Sequence, residues 1–169
     1  DSNYTDAKTL YGGAGNDVLY GGYGDDTLDG GTGADALIGG NGIDIFVIRT
    51  GDGSTLLLQA NVISDFTDGT DLIGLDNNLA FNELTIEQGT LDFANHTLVK
   101  VTATDEYLLI IENTTASDIT DLDFINMDTS SASTNNIPAD MTDDTDSDNP
   151  TTPNDDDTPI IPTDNDPLP

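Results

Sequence analysis

No cysteine occurs in the 169 residues, which excludes disulfides, thiolate metal sites and a thiol nucleophile. A single histidine, His96, is too little for a His-rich zinc or copper centre, and it has no HExxH partner. Basic residues are almost as scarce: 3 Lys or Arg stand against 33 Asp or Glu, a formal charge of -30. Nucleic acid and anionic membrane surfaces, which need basic patches, are excluded as partners. The balance points to cations. No apolar run approaches the ~20 residues of a transmembrane segment, and no cationic start with an apolar stretch marks a signal peptide. An opening on Asp1 instead of Met reads as a processed form or a fragment.

Proline and glycine are absent from opposite ends of the chain. All seven prolines lie between Pro138 and Pro169, and no glycine follows Gly89. Residues 128–169 hold 11 Asp and no basic residue, in runs such as DDTDSDNPTTPNDDDTP. Such a segment buries too little apolar surface to offset chain entropy, and its charges repel one another. It is expected to be a disordered acidic linker. The remaining acids, 33 − 11 = 22, and all three bases fall in residues 1–127, a net charge of 3 − 22 = -19. The alternating aspartates of 143–149 resemble the start of an EF-hand loop but lack its Gly at position six and its Glu at twelve.

From Gly12 the chain repeats every nine residues without a gap: GGAGNDVLY, GGYGDDTLD, GGTGADALI and GGNGIDIFV, ending at Val47. Each unit has Gly at positions 1, 2 and 4, Asp at 6 and a large apolar residue at 8. A flexible linker does not keep an apolar residue at every ninth place, and a dinucleotide-binding glycine loop would need one motif opening a long helix. Glycine at these positions permits tight turns. Positions 7 to 9 are expected to form a short strand whose alternation sends Leu19, Leu28, Leu37 and Phe46 inward.

The pattern resembles the RTX, or haemolysin-type, calcium-binding nonapeptide, which implies an all-β, right-handed parallel β-roll. Two units make one coil of such a roll, so loops stack with a period of eighteen. Asp17 then faces Asp35, and Asp26 faces Asp44, one strand spacing apart. Two carboxylates about 5 Å apart repel by about 3 kcal/mol at an effective dielectric of about 20. A hard dication among oxygen ligands removes that repulsion, and a flexible cage favours calcium over magnesium. The resemblance further implies that turn carbonyls complete the shell. The ligand sets carried over are Gly12 and Ala14 with Asp17, Gly21 and Tyr23 with Asp26, Gly30 and Thr32 with Asp35, and Gly39 and Asn41 with Asp44, with carbonyls at positions 2 and 5 opposite. Four loops give two complete calcium sites, and half-sites at the ends would raise the count to three or four if completed. Upstream, Asn3–Tyr11 is in register but carries Lys8 where Asp belongs, which argues against a full site there. Downstream, Asp52 sits one position early and Asp65 falls in an I-x-D-F strand; both are weaker ligand candidates.

Residues 43–75 also look like the segment that ends RTX rolls in secreted metalloproteases. Strands are expected at Val62–Phe66 and Asp71–Leu75, then at Leu84–Glu87, Thr97–Thr102 and Tyr107–Glu112, with a short helical turn over Asp118–Asp123 and Phe124 and Ile125 returning to the core. These would cap two coils with an antiparallel patch, since a short solenoid needs its ends covered. No catalytic constellation is legible, and His96 reads as an exposed turn residue, so the chain is not expected to be an enzyme. Two function classes follow. One is a calcium-dependent folding module of an exported bacterial protein, secreted or at the cell surface, with type I secretion machinery or cell-surface molecules as partners. The other is an accessory domain of an extracellular enzyme or adhesin whose active part lies elsewhere in the same chain.

Overall fold

Each strand of the repeats starts where the nonapeptide passes from Asp to its aliphatic positions. The structure, a computed structural model, describes residues 6–128. The repeat strands are β1 (Thr9–Ala14), β2 (Val18–Tyr23), β3 (Thr27–Thr32), β4 (Ala36–Asn41) and β5 (Ile45–Ile48). The first four run for six residues, because the second glycine of the following unit and the residue after it still pair across the stack, as Gly13 with Gly31 and Tyr23 with Asn41. Successive strands alternate between two walls. One has the order β1-β3-β5, the other β2-β4, all parallel and all in a register of eighteen residues.

Between the walls lie the position-8 side chains. Leu28, Leu37 and Phe46 are 0% exposed and Leu19 is 7% exposed, as the alternation predicts. Each is worth about 1.5–3 kcal/mol on burial. One such residue per nine is a thin core, so the roll depends on what else its loops can hold.

The roll does not stop after two coils. After a 3-10 turn at Leu57–Gln59, β6 (Asn61–Ile63) pairs parallel with β4, and β7 (Leu72–Leu75) pairs parallel with β5. Ile63 and Ile73 are 0% exposed and continue the interior row. Both strands are shorter than the sequence suggests, since the chain bends at Ser64 and Asp71 is drawn into the loop. The antiparallel part is β8 (Leu84–Gln88), β9 (Thr97–Val101) and β10 (Glu106–Ile111). It is fused to the second wall, because β10 pairs parallel with β6. The last helical turn, Asp121–Asp123, leads into β11 (Phe124–Asn126), which joins the first wall beside β7. Phe124 packs on Phe81 against the core, while Ile125 stays partly exposed.

Arg49, just after β5, ties the first wall to the loops around it. Its guanidinium lies 2.6 Å from Asp29, 3.0 Å from Asp52 and 3.0 Å from Asp76. One cation thus serves three carboxylates from β3, the loop after β5 and the loop after β7. The expectations for the acidic tail and for 143–149 fall outside the described residues, Asp128 excepted.

Candidate metal centre

The loops between strands stack as two ladders, one on each edge of the roll. In one, the main-chain N–H of Asp17 donates to Asp35 Oδ1 at 2.9 Å. In the other, that of Asp26 donates to Asp44 Oδ1 at 2.9 Å. The eighteen-residue facing of Asp17 with Asp35 and of Asp26 with Asp44 is therefore present, and a side chain–main chain hydrogen bond fixes each pair.

This leaves the second oxygen of each carboxylate. The Oδ2 atoms of Asp17, Asp26, Asp35 and Asp44 are all buried and accept no hydrogen bond among the described residues. Asp26, Asp35 and Asp44 are no more than 2% exposed. An ionised oxygen buried without a partner costs several kcal/mol, and native proteins do not keep a row of them without a cation.

The main chain supplies the remaining oxygens. A Cβ on Gly12 would lie 2.6 Å from Gly30 O and 2.9 Å from Asp17 Oδ2. One on Gly21 would lie 2.5 Å from both Gly39 O and Asp26 Oδ2. The first glycine of a unit is needed for this close approach: any side chain would push apart a carbonyl from the upper loop and a carboxylate from the lower one. Thr32 O and Asn41 O face the lower loops as well, accepting from Gly15 N and Gly24 N at 2.9 Å and keeping a second lone pair. No three Asp, Glu or His side chains are placed to hold one metal ion among the described residues. Each site has two carboxylates, so the rest of a shell would be carbonyl oxygen, which suits a hard cation such as calcium. The residues present fit that ion.

Gly12, Ala14 and Asp17 form the outermost loop of their ladder, and Gly30, Thr32 and Asp35 lie over them. Gly21, Tyr23 and Asp26 are overlain in the same way by Gly39, Asn41 and Asp44. Asp52 reaches the first ladder by its main chain, its carbonyl accepting from Gly33 N at 3.4 Å, but its carboxylate is held by Arg49. Asp65 lies beside the loop of Asp44, but its two oxygens accept from Gly39 N at 3.0 Å and Gly40 N at 2.8 Å, an anion's role in a nest of N–H groups.

Two residues that the sequence reading passed over continue the ladders. Asn61 Oδ1 accepts from Asp35 N at 2.9 Å, and Asp71 Oδ1 accepts from Asp44 N at 3.0 Å. Both close their ladder without a spare oxygen. Asn61 is neutral, and Asp71 Oδ2 accepts from Thr67 N at 2.8 Å. Their spacings from Asp35 and Asp44, 26 and 27 residues, depart from the eighteen-residue period of the stack. One signal was available: each directly precedes a pair of aliphatic residues, Val62-Ile63 and Leu72-Ile73.

Burial holds the Asp35 carboxyl above the usual carboxylate range, with Asp17 and Asp29 adding to the rise and the Asp17 N–H opposing it. Asp44 is raised in the same way, first by burial and then by Asp71, Asp26 and Asp65. A carboxyl whose folded pKa exceeds its unfolded value opposes folding above that window, until a proton or a cation neutralises it. Protons and calcium therefore compete for the same oxygens. The calcium midpoint of the fold should rise as pH falls from about 7 to about 5. Calcium titrations followed by circular dichroism at the two pH values check this, and equal midpoints would contradict it.

No catalytic arrangement surrounds His96, whose Nδ1 accepts from Asn113 N at 3.1 Å and whose ring meets Phe93 edge-on. No helix among the described residues is long and apolar enough to cross a membrane.

Residues 9–46 match the family of RTX calcium-binding nonapeptide repeats, in four copies. No similar sequence was found among curated proteins. Among solved structures, the AlgE6R2 subunit of the Azotobacter vinelandii mannuronan C5-epimerase is similar over 72% of this chain and 87% of its own, with 25% identity and a TM-score of 0.53. The AlgE6R3 subunit of the same enzyme covers 79% and 85%, with 23% identity and a TM-score of 0.47.

Proposed function

We propose that this chain, whose residues 9–46 are RTX calcium-binding nonapeptide repeats wound into a parallel β-roll, folds on extracellular calcium and serves as a structural, secretion-associated domain of an exported bacterial protein. The observation that carries the reading is the row of four buried Oδ2 atoms without hydrogen-bond partners, of which only that of Asp26 has a cation near it among the described residues, Lys8 Nζ at 3.8 Å. One ion would sit between loops 12–17 and 30–35, held by Asp17, Asp35, Gly30 and Thr32. A second would sit between 21–26 and 39–44, held by Asp26, Asp44, Gly39 and Asn41. The module would span residues 1–127, with 128–169 as an acidic linker to a neighbouring domain. That division rests on composition: every proline lies beyond residue 127 and every basic residue before it.

The coupling follows from linkage. A ligand that binds only the folded chain adds about 2.7 kcal/mol per site at a hundredfold excess over its dissociation constant. Two such sites supply an amount comparable with the whole stability of a small domain, about 5–15 kcal/mol. At low internal calcium the stabilisation is absent, and outside the cell it is present. Equilibrium dialysis of the full chain against millimolar calcium should find two ions per chain, and against magnesium far fewer. A calcium count near zero would sink the reading.

A second reading, an accessory domain of an extracellular enzyme, is favoured by one finding: the similar AlgE6R2 module is a subunit of an epimerase. A catalytic domain elsewhere in the full-length polypeptide would support it, whereas a secretion defect on deleting residues 1–127 would support the first.

A further inference from the structure

Lys8 occupies the aspartate place of the ladder one coil upstream of Asp26. The main chain establishes this. Lys8 N donates to Asp26 Oδ1 at 2.7 Å, as Asp26 N does to Asp44 Oδ1 at 2.9 Å. Lys8 O accepts from Thr27 N at 2.8 Å, as Asp26 O accepts from Ile45 N at 2.8 Å. The residue is thus in register with the repeat aspartates and carries the opposite charge.

Its side chain turns into the space between the loops. Lys8 Nζ lies 2.6 Å from Gly21 O, 3.5 Å from Tyr23 O and 3.8 Å from Asp26 Oδ2. The corresponding atoms one coil on are Gly39 O, Asn41 O and Asp44 Oδ2, which face Asp26 across the second candidate calcium site. We propose that the Lys8 ammonium is a tethered cation standing in the calcium position of the upstream half-site, so that Gly21, Tyr23 and Asp26 are satisfied there without metal. The charges agree with this. A calcium ion with one lower-loop aspartate carries a net single positive charge, and so does a lysine. An ammonium also has three N–H donors to offer three oxygens. An ordinary surface ion pair would not need both carbonyls, nor an Asp26 side chain that is 0% exposed.

The inference rests on the calcium reading above, and the test separates the two. Calcium bound per full-length chain is counted by equilibrium dialysis for the parent, Lys8→Asp and Lys8→Gln, and the calcium midpoint of folding is followed by circular dichroism. Lys8→Asp restores the carboxylate and should bind one calcium more than the parent. Lys8→Gln should keep the parent count but need roughly threefold more calcium to fold, because Asp26 Oδ2 loses its cation. A parent that binds two ions with no gain in Lys8→Asp would overturn the role of Lys8 alone, as would a Lys8→Gln midpoint equal to the parent's. A parent that binds none would overturn both readings.

Discussion

In EGTA the full chain should show mainly coil by far-UV circular dichroism, and millimolar calcium should bring back the β signal, with magnesium much less effective. Residues 1–127 carry a net charge of -19, and Asp17, Asp35 and Asp44 each bury an oxygen with neither a hydrogen-bond partner nor a cation beside it among the described residues. At several kcal/mol for each such ion, the penalty matches or exceeds the stability of a typical domain. The interior row of Leu19, Leu28, Leu37 and Phe46 cannot offset it alone. Extracellular calcium modules bind at about 10⁻⁴–10⁻³ M, so the transition should centre in that range. Native-like sheet in EGTA would show that the roll carries its aspartates without metal and would end this account of its folding.

Removing one carboxylate from either ladder should have the second largest effect. Asp35→Ala takes a ligand from the site between loops 12–17 and 30–35, and Asp44→Ala takes one from the site between 21–26 and 39–44. Each should lower the calcium count by one. Each should also raise the folding midpoint by about tenfold or more, since even outer-shell partners of a metal are worth about 10–100-fold in affinity. Asp92→Ala, at an exposed position in the turn before β9, removes the same charge from outside the ladders and should change neither quantity. If all three variants behaved alike, total charge would matter and the eighteen-residue stacking would not.

The repeats were legible because their period is local. Nine residues fix where a strand starts, which side chain turns inward and which aspartates face one another, and Leu37 over Leu19 or Asp35 over Asp17 follows by counting. Past Ile48 the counting fails. Asn61 and Asp71 take the next rungs at spacings of 26 and 27, after loops of unequal length. The partner of β10 is also beyond a local reading. Its alternation suits an antiparallel cap on either side, and it meets β9 on one edge and the parallel β6 on the other. Lys8 shows a different limit. A lysine at an aspartate position reads as a lost ligand, and only its contacts reveal that the cation has come with the side chain. Asp52 shows another limit, since the carboxylate of an aspartate near the repeat register is paired with Arg49, a partner whose reach the sequence does not display.

The alternation of strands between walls gives the module a parity. Because β6 continues the wall of β4 and β7 that of β5, everything after Val47 is keyed to an even number of nonapeptides. A single inserted unit would exchange the walls beneath the cap, setting β6 over the wrong neighbour and separating Asn61 and Asp71 from the N–H groups they now accept. Two inserted units would lengthen the roll by one coil and leave every downstream contact as it is. Growth of such a chain therefore proceeds in steps of eighteen residues, with the lysine-closed and lysine-free ladders each gaining one rung.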